Sequence, residues 1–195
     1  MRSPVADLLA DLVAAFASLE LPWYLFGAQA AIVYGAARLT ADVDVTVVAP
    51  EHAVAADWLE VLGQHGFDAR VDDRRFLEQT RVLPLFHRAT GLPTDVVLAG
   101  PGLEEDFLRR AVTCNLDGVA VPVIEVSDLV VLKILAGRPK DVEDVVSLLR
   151  INRSIDDGRV RELLALLERA LGQSDLLPLF AEARQRSSTR RGESS

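Results

Sequence analysis

The opening stretch of the chain repeats its apolar side chains at helical spacing. Val5, Leu8, Leu9, Leu12, Val13, Phe16 and Leu19 fall on one helical face. Ser3 suits the cap before that helix and Pro4 its first turn. The pattern predicts a first helix to about Glu20, ended by Pro22. Trp23-Tyr24-Leu25-Phe26 reads as a short strand stopped by Gly27. Ala28 to Ala37 is small and apolar, which predicts a buried helix packed close to its neighbours. Asp42 to Val48 alternates and is β-branched, the pattern of a strand. Pro50 and Glu51 open a helix that ends near Gly66, and Phe67 to Val71 reads as another strand.

Beyond Asp72 the pattern predicts a short turn of helix, a strand over Arg81 to His87, a turn at Gly91 and Pro93, and a strand over Thr94 to Ala99. Pro101 and Gly102 precede a short helix to Arg110. Val112 to Leu116 and Val119 to Ile124 flank Asp117-Gly118, a strong hairpin signal. From Ser127 onward the periodicity is helical: one helix to about Ala136, one from Pro139 to Arg150, and two more from about Ile155 and Ser174. The order is helix, mixed sheet with crossing helices, then a helical C-terminal part. That is an α+β fold class. The expected organisation is an α/β core over 1–126, a helical part packed on it over 127–183, and a disordered Arg- and Ser-rich tail over 184–195.

Length and composition narrow this picture. The chain has 195 residues, of which 50% are hydrophobic and 26% charged, so it suits a packed domain with a small appendage. Asp plus Glu outnumber Lys plus Arg by 29 to 21. That surplus argues against a broad nucleic-acid-coating or membrane-surface role. The single cysteine, Cys114, excludes an internal disulfide and a multi-Cys zinc site. Acidic residues interrupt the N-terminal apolar stretch, and Trp23 to Ala37 falls short of a membrane span. A soluble cytoplasmic protein without a membrane partner is expected.

Three features of the first half carry chemistry. Phe26-Gly27-Ala28 puts a glycine where a strand becomes a helix, so backbone N–H groups and the helix dipole there suit phosphate oxygens. Asp42 follows Ala28 by fourteen positions. Asp42 and Asp44 are two apart on one strand, so both carboxylates share a face. Like charges that close repel, and a divalent cation between them relieves the repulsion. Magnesium takes such carboxylates together with substrate phosphates. Asp95 is a third acid, inside the apolar strand Thr94 to Leu98, where burial is costly unless it is paired or metal-bound. If that strand lies next to Asp42–Val48, three carboxylates converge, and two metal ions there suit nucleotidyl or phosphoryl transfer. Taken singly, each feature has a structural reading: Gly27 as a turn, Asp42 as a turn closer, Asp44 as a solvated acid.

Together these residues resemble the signature of the DNA polymerase β-type nucleotidyltransferase superfamily. That signature is a hydrophobic residue, Gly, then Gly or Ser, a spacer of about a dozen, and Asp-hydrophobic-Asp/Glu-hydrophobic. Here it reads Phe26-Gly27-Ala28 and Asp42-Val43-Asp44-Val45. The longer run Gly27 to Gly35, with Arg38, Thr40 and Asp42-Val43-Asp44, is similar to the abortive-infection (AbiEii-like) toxin nucleotidyltransferases. So is the later block from Leu132 to Asp144, with Lys133 on one helix and Lys140-Asp141-x-x-Asp144 on the next. The resemblance spans roughly Trp23 to Leu149. Ala28 departs from the signature: it keeps the backbone N–H and lacks a hydroxyl.

The resemblance implies a polymerase β-like mixed sheet flanked by helices, Mg2+ or Mn2+ as cofactor, and an NTP as substrate. It implies metal binding and catalysis by Asp42, Asp44 and Asp95, with Asp95 assisting deprotonation of the acceptor hydroxyl. It assigns the nucleotide to Gly27, Ala28, Arg38, Thr40, Lys133, Arg138 and Lys140, with Asp141 and Asp144 orienting those cations. The acceptor it implies is a tRNA end or a protein side chain, with a cognate antitoxin as a partner. A small-molecule acceptor of the aminoglycoside kind, or a degenerate member that only binds a partner, stays open. Arg38 also suits a helix cap, and Asp141 and Asp144 also suit a helix's first turn. His52, His65 and His87 lack metal-ligand spacing. Cys114 reads as inert core, and Asp128 as structural. Arg74, Arg75, Arg81 and Arg88 read as a solvated face or a guide for a polyanionic acceptor.

Overall fold

Ser3 caps α1 (Pro4–Ser18) by accepting the Ala6 N–H at 3.3 Å. The helix buries Leu8, Leu9, Leu12 and Phe16, and the Phe16 ring tilts against Trp23 at 5.4 Å. The computed structural model describes residues 2–49, 58–71, 74–100 and 102–189. The chain divides into two units, Met1–Gln29 with Thr40–Ile124, and Ala30–Leu39 with Glu125–Ser195.

The first unit is built on a seven-stranded sheet. Its strands are β1 (Trp23–Phe26), β2 (Val43–Val47), β3 (Phe67–Ala69), β4 (Val82–His87), β5 (Leu92–Leu98), β6 (Val112–Leu116) and β7 (Val119–Val123). They lie in the order β3-β4-β5-β2-β1-β7-β6. β2 runs parallel to β5, β1 runs parallel to β7, and the remaining pairs are antiparallel. The sheet is therefore mixed, as the α+β reading expects. Asp117 and Gly118 both have positive φ, 49° and 88°, the two-residue hairpin turn that an Asp-Gly pair favours. Helices α3 (Leu59–Gln64), α4 (Arg74–Thr80) and α5 (Leu103–Arg110) complete this unit. The first part of the helix read from Pro50 lies outside the described residues.

Helix α2 (Gly27–Val33) begins in the first unit and is shorter than its apolar run. Gly35 at φ 92° ends it: the Gly35 N–H reaches the Ile32 carbonyl and the Ala36 N–H the Ala31 carbonyl, both at 2.9 Å.

The second unit holds α6 (Val126–Ala136), α7 (Pro139–Ile151), α8 (Asp157–Leu171) and α9 (Leu176–Thr189). α6 touches the other three and is buried on most of its surface, which explains its apolar character on every side. The Asn152 amide donates to the Tyr34 carbonyl at 3.0 Å, tying residues 30–39 to the end of α7. Asp128 is fully buried and accepts from Arg159 at 2.7 Å, a structural ion pair. The tail expected from 184 is corrected here. Residues 184–189 are the last turns of α9, where Ser187 is buried, Arg150 donates to the Arg186 carbonyl at 2.9 Å, and Arg186 pairs with Glu143. Among the described residues no helix is long and apolar enough to cross a membrane.

Candidate active site

In the first unit, β2 lies between β1 and β5, and one row of the register reads Phe26, Asp44, Asp95, Pro84 across four strands. Adjacent strands stand about 4.8 Å apart, and residues opposite each other share a face. Asp44 and Asp95 are thus neighbours on one side of the sheet. Both are half-buried, while Val43, Val45, Thr94 and Val96 alternate into the core. Gly27 closes against this pair. A Cβ at residue 27 would stand 2.1 Å from an Asp44 carboxylate oxygen, and the backbone there has φ 68°. Only glycine meets both conditions. The strand-to-helix glycine and the second aspartate of the motif are thus one packing unit.

Asp42 is exposed and lies one residue before β2. Its N–H donates to the Thr40 hydroxyl at 3.2 Å, and the Gln29 amide donates to the Thr40 carbonyl at 3.3 Å. Thr40 therefore shapes the entry to β2 through both its side chain and its backbone. Ala28 is buried at the start of α2. Among the described residues no three His, Cys, Asp or Glu side chains form a metal-binding group. Asp44 and Asp95 remain a pair of hard oxygen donors, the type that magnesium takes. Sequence reasoning missed Arg70, whose guanidinium donates to the Asp95 carboxylate. No spacing signal pointed to it, because the contact depends on how β3, β4 and β5 align.

In the second unit the Lys-Asp-x-x-Asp block folds into a buried ionic network. Lys133 is 4% exposed and donates to Asp144 at 2.6 Å and to Asp141 at 3.4 Å. Asp144 also pairs with Arg38, and Asp141 with Arg138. Asp141 and Asp144 share the inward face of α7, as an i, i+3 pair must. Lys140 is exposed.

Burial pushes the Asp141 carboxyl up, but hydrogen bonds and positive charge from Arg138 and Lys133 outweigh it and hold the group below its ordinary value. A carboxyl with a lower pKa in the folded chain stabilises the fold above the unfolded value of about 3.9. That contribution is lost as pH falls through the lower folded value. Replacing Asp141 with Asn removes it. Urea midpoints measured from pH 7 downward should fall less steeply below about pH 4 in the variant than in wild type. Parallel curves would show that Asp141 is not held charged by the network.

The remaining candidates have structural partners. Arg81 donates to the carbonyls of Leu98 and Ala99, and Arg88 pairs with Asp68, so both brace the sheet. His87 is fully buried between Thr90 at 2.8 Å and Asp11 at 2.9 Å and stacks on Phe67. His65 lies 3.5 Å from Ser18, and His52 lies outside the described residues. Cys114 is half-buried, and burial raises its thiol pKa, which makes it a poor nucleophile.

Residues 10–172 match the family model described as nucleotidyltransferase of unknown function (DUF6036). Comparison with curated proteins gives no match. Solved structures share the fold. A nucleotidyltransferase-like antigenic protein from Paracoccidioides brasiliensis is 18% identical over 90% of this chain and 91% of its own, with a TM-score of 0.53. The structure of ANT(2'')-Ia in complex with adenylyl-2''-tobramycin is 14% identical over 95% of this chain and 100% of its own, with a TM-score of 0.50.

Proposed function

The chain belongs to the nucleotidyltransferase family DUF6036, and from that membership we propose a metal-dependent enzyme that transfers NMP from an NTP to an acceptor hydroxyl and releases pyrophosphate. The observation that carries the proposal is the Asp44–Asp95 register pair closed by Gly27. Two carboxylates side by side at a glycine turn offer the hard oxygen donors that a divalent cation takes. Asp42, Asp44 and Asp95 hold Mg2+ or Mn2+ in this reading. When bound, the metal polarises phosphoryl oxygens and neutralises developing charge. Asp95 also draws the proton from the acceptor hydroxyl. The Gly27 and Ala28 N–H groups donate to phosphate oxygens, and Ala28 does so without a hydroxyl. Thr40 holds the turn that presents Asp42. Arg38, Lys133, Arg138 and Lys140 are assigned to the triphosphate on the resemblance to the AbiEii-like branch, with Asp141 and Asp144 orienting them.

That resemblance favours a tRNA end or a protein side chain as acceptor, in a toxin–antitoxin setting with a cognate antitoxin as partner. A small-molecule acceptor is the second reading. It is favoured by the shared fold over the full length of the ANT(2'')-Ia structure, which was solved with adenylyl-2''-tobramycin. Labelled NTPs with Mg2+ and separate pools of total tRNA, cell lysate and an aminoglycoside distinguish the two. Label is expected in the tRNA or protein pool. Label in the aminoglycoside alone establishes the second reading. No transfer, together with no Mg-dependent NTP binding at millimolar concentration, leaves a partner-binding protein with a nucleotidyltransferase fold.

A further inference from the structure

Arg70 sits at the end of β3, and its backbone N–H is bonded to the Pro84 carbonyl at 2.9 Å. Pro84 is the register partner of Asp95 on β5. This fixes the Arg70 backbone two strands from the third carboxylate, across β4, and its guanidinium spans the gap to reach Asp95. The pair is an odd one for stability. Arg70 and Asp95 are 39% and 40% exposed, so water screens their attraction. Exposed pairs of this kind contribute little to folding. Its position is more informative than its strength. Arg70 offsets the charge of Asp95 at the place where that carboxylate stands beside Asp44.

We propose that Arg70 is a positioning residue that holds Asp95 as its resident counter-ion and competes with a divalent cation for that carboxylate. The proposal rests on the metal-dependent reading above and adds a specificity to it. Cation affinity at oxygen sites grows with the number of charged ligands. With Arg70 on Asp95, a free cation must displace a guanidinium to reach that carboxylate and binds weakly. A cation carried by a triphosphate brings further oxygens and displaces the guanidinium. The site therefore favours the metal–nucleotide complex over the bare metal.

The test is Mn2+ binding to the full chain without nucleotide, read by electron paramagnetic resonance of the free ion and by calorimetry. Removing one positive charge beside a divalent ion at a solvated site should tighten binding about tenfold. Arg70→Met should therefore bind Mn2+ about tenfold more tightly than wild type, with an unchanged melting temperature. Arg70→Lys, which restores the charge, should return affinity toward wild type. Arg70→Met that binds no tighter than wild type, while Asp44→Asn loses the metal, overturns the role of Arg70 and leaves the metal site standing. Mn2+ binding that neither Asp44→Asn nor Asp95→Asn weakens overturns the metal reading, and this proposal with it.

Discussion

Replacing Asp44 with Asn should lower NMP transfer by about a thousandfold or more, the loss that corresponds to about 4 kcal/mol of transition-state stabilisation. The same change should abolish Mg-dependent NTP binding. Asp44 stands against both other parts of the motif: Asp95 is its register neighbour, and Gly27 closes on its carboxylate. Asn has nearly the same shape, so it still fits beneath the Gly27 backbone, and the sheet row keeps its packing. What the substitution removes is one anionic oxygen donor. A purely structural role for Asp44 predicts the reverse outcome, with a lower unfolding midpoint and unimpaired binding of Mg-NTP by the folded fraction. Denaturant midpoints measured beside equilibrium binding separate the two. Wild-type binding of Mg-NTP by Asp44→Asn would falsify the site assignment.

The part of this site legible in the sequence is the part that local rules govern. Alternation and β-branching marked β2 and so put Asp44 on a strand face. Apolar spacing marked α1, and Asp117-Gly118 marked the β6–β7 hairpin. What stayed illegible depends on which strands pair and in what register. That β5 lies beside β2 was a condition of the three-carboxylate reading, and the pairing of Val43–Val47 with Thr94–Leu98 meets it for Asp44 and Asp95. The collision a Cβ at Gly27 would make with Asp44, and the reach of Arg70 to Asp95, follow from that alignment and from no local pattern. The grouping of residues 30–39 with α7 rests on contacts such as Arg38–Asp144 and Asn152–Tyr34, each more than a hundred residues apart in sequence. The last turns of α9 were hidden for a different reason. Their buried stripe, Phe180, Ala183 and Ser187, has helical spacing but ends on small or polar side chains, so an Arg- and Ser-rich composition masked it.

Lys133 carries the second large effect, and it falls on stability. The resemblance assigns Lys133 to the triphosphate, yet in the folded chain its ammonium already sits between Asp141 and Asp144, almost without solvent contact. Lys133→Met leaves two buried carboxylates with their arginine partners alone. Breaking a buried pair by deleting one partner costs about 3–5 kcal/mol, because the remaining charge cannot recover its hydration. Arg138 is 60% exposed on its side chain and cannot replace the lost ammonium, since its charge is spread toward water. Urea unfolding of Lys133→Met should therefore show a loss in this range, with the m-value unchanged. The double variant Lys133→Met/Asp144→Leu removes charge from both sides, and it should recover a substantial part of the loss, as apolar replacements of buried ion pairs do. A loss under about 1 kcal/mol in the single variant would mean that water reaches the network and screens it as it screens a surface pair. Nucleotide affinity of Lys133→Met is then interpretable only for the folded fraction. A drop there beyond the loss of folded protein would assign Lys133 a contact with phosphate in addition to its place in the network.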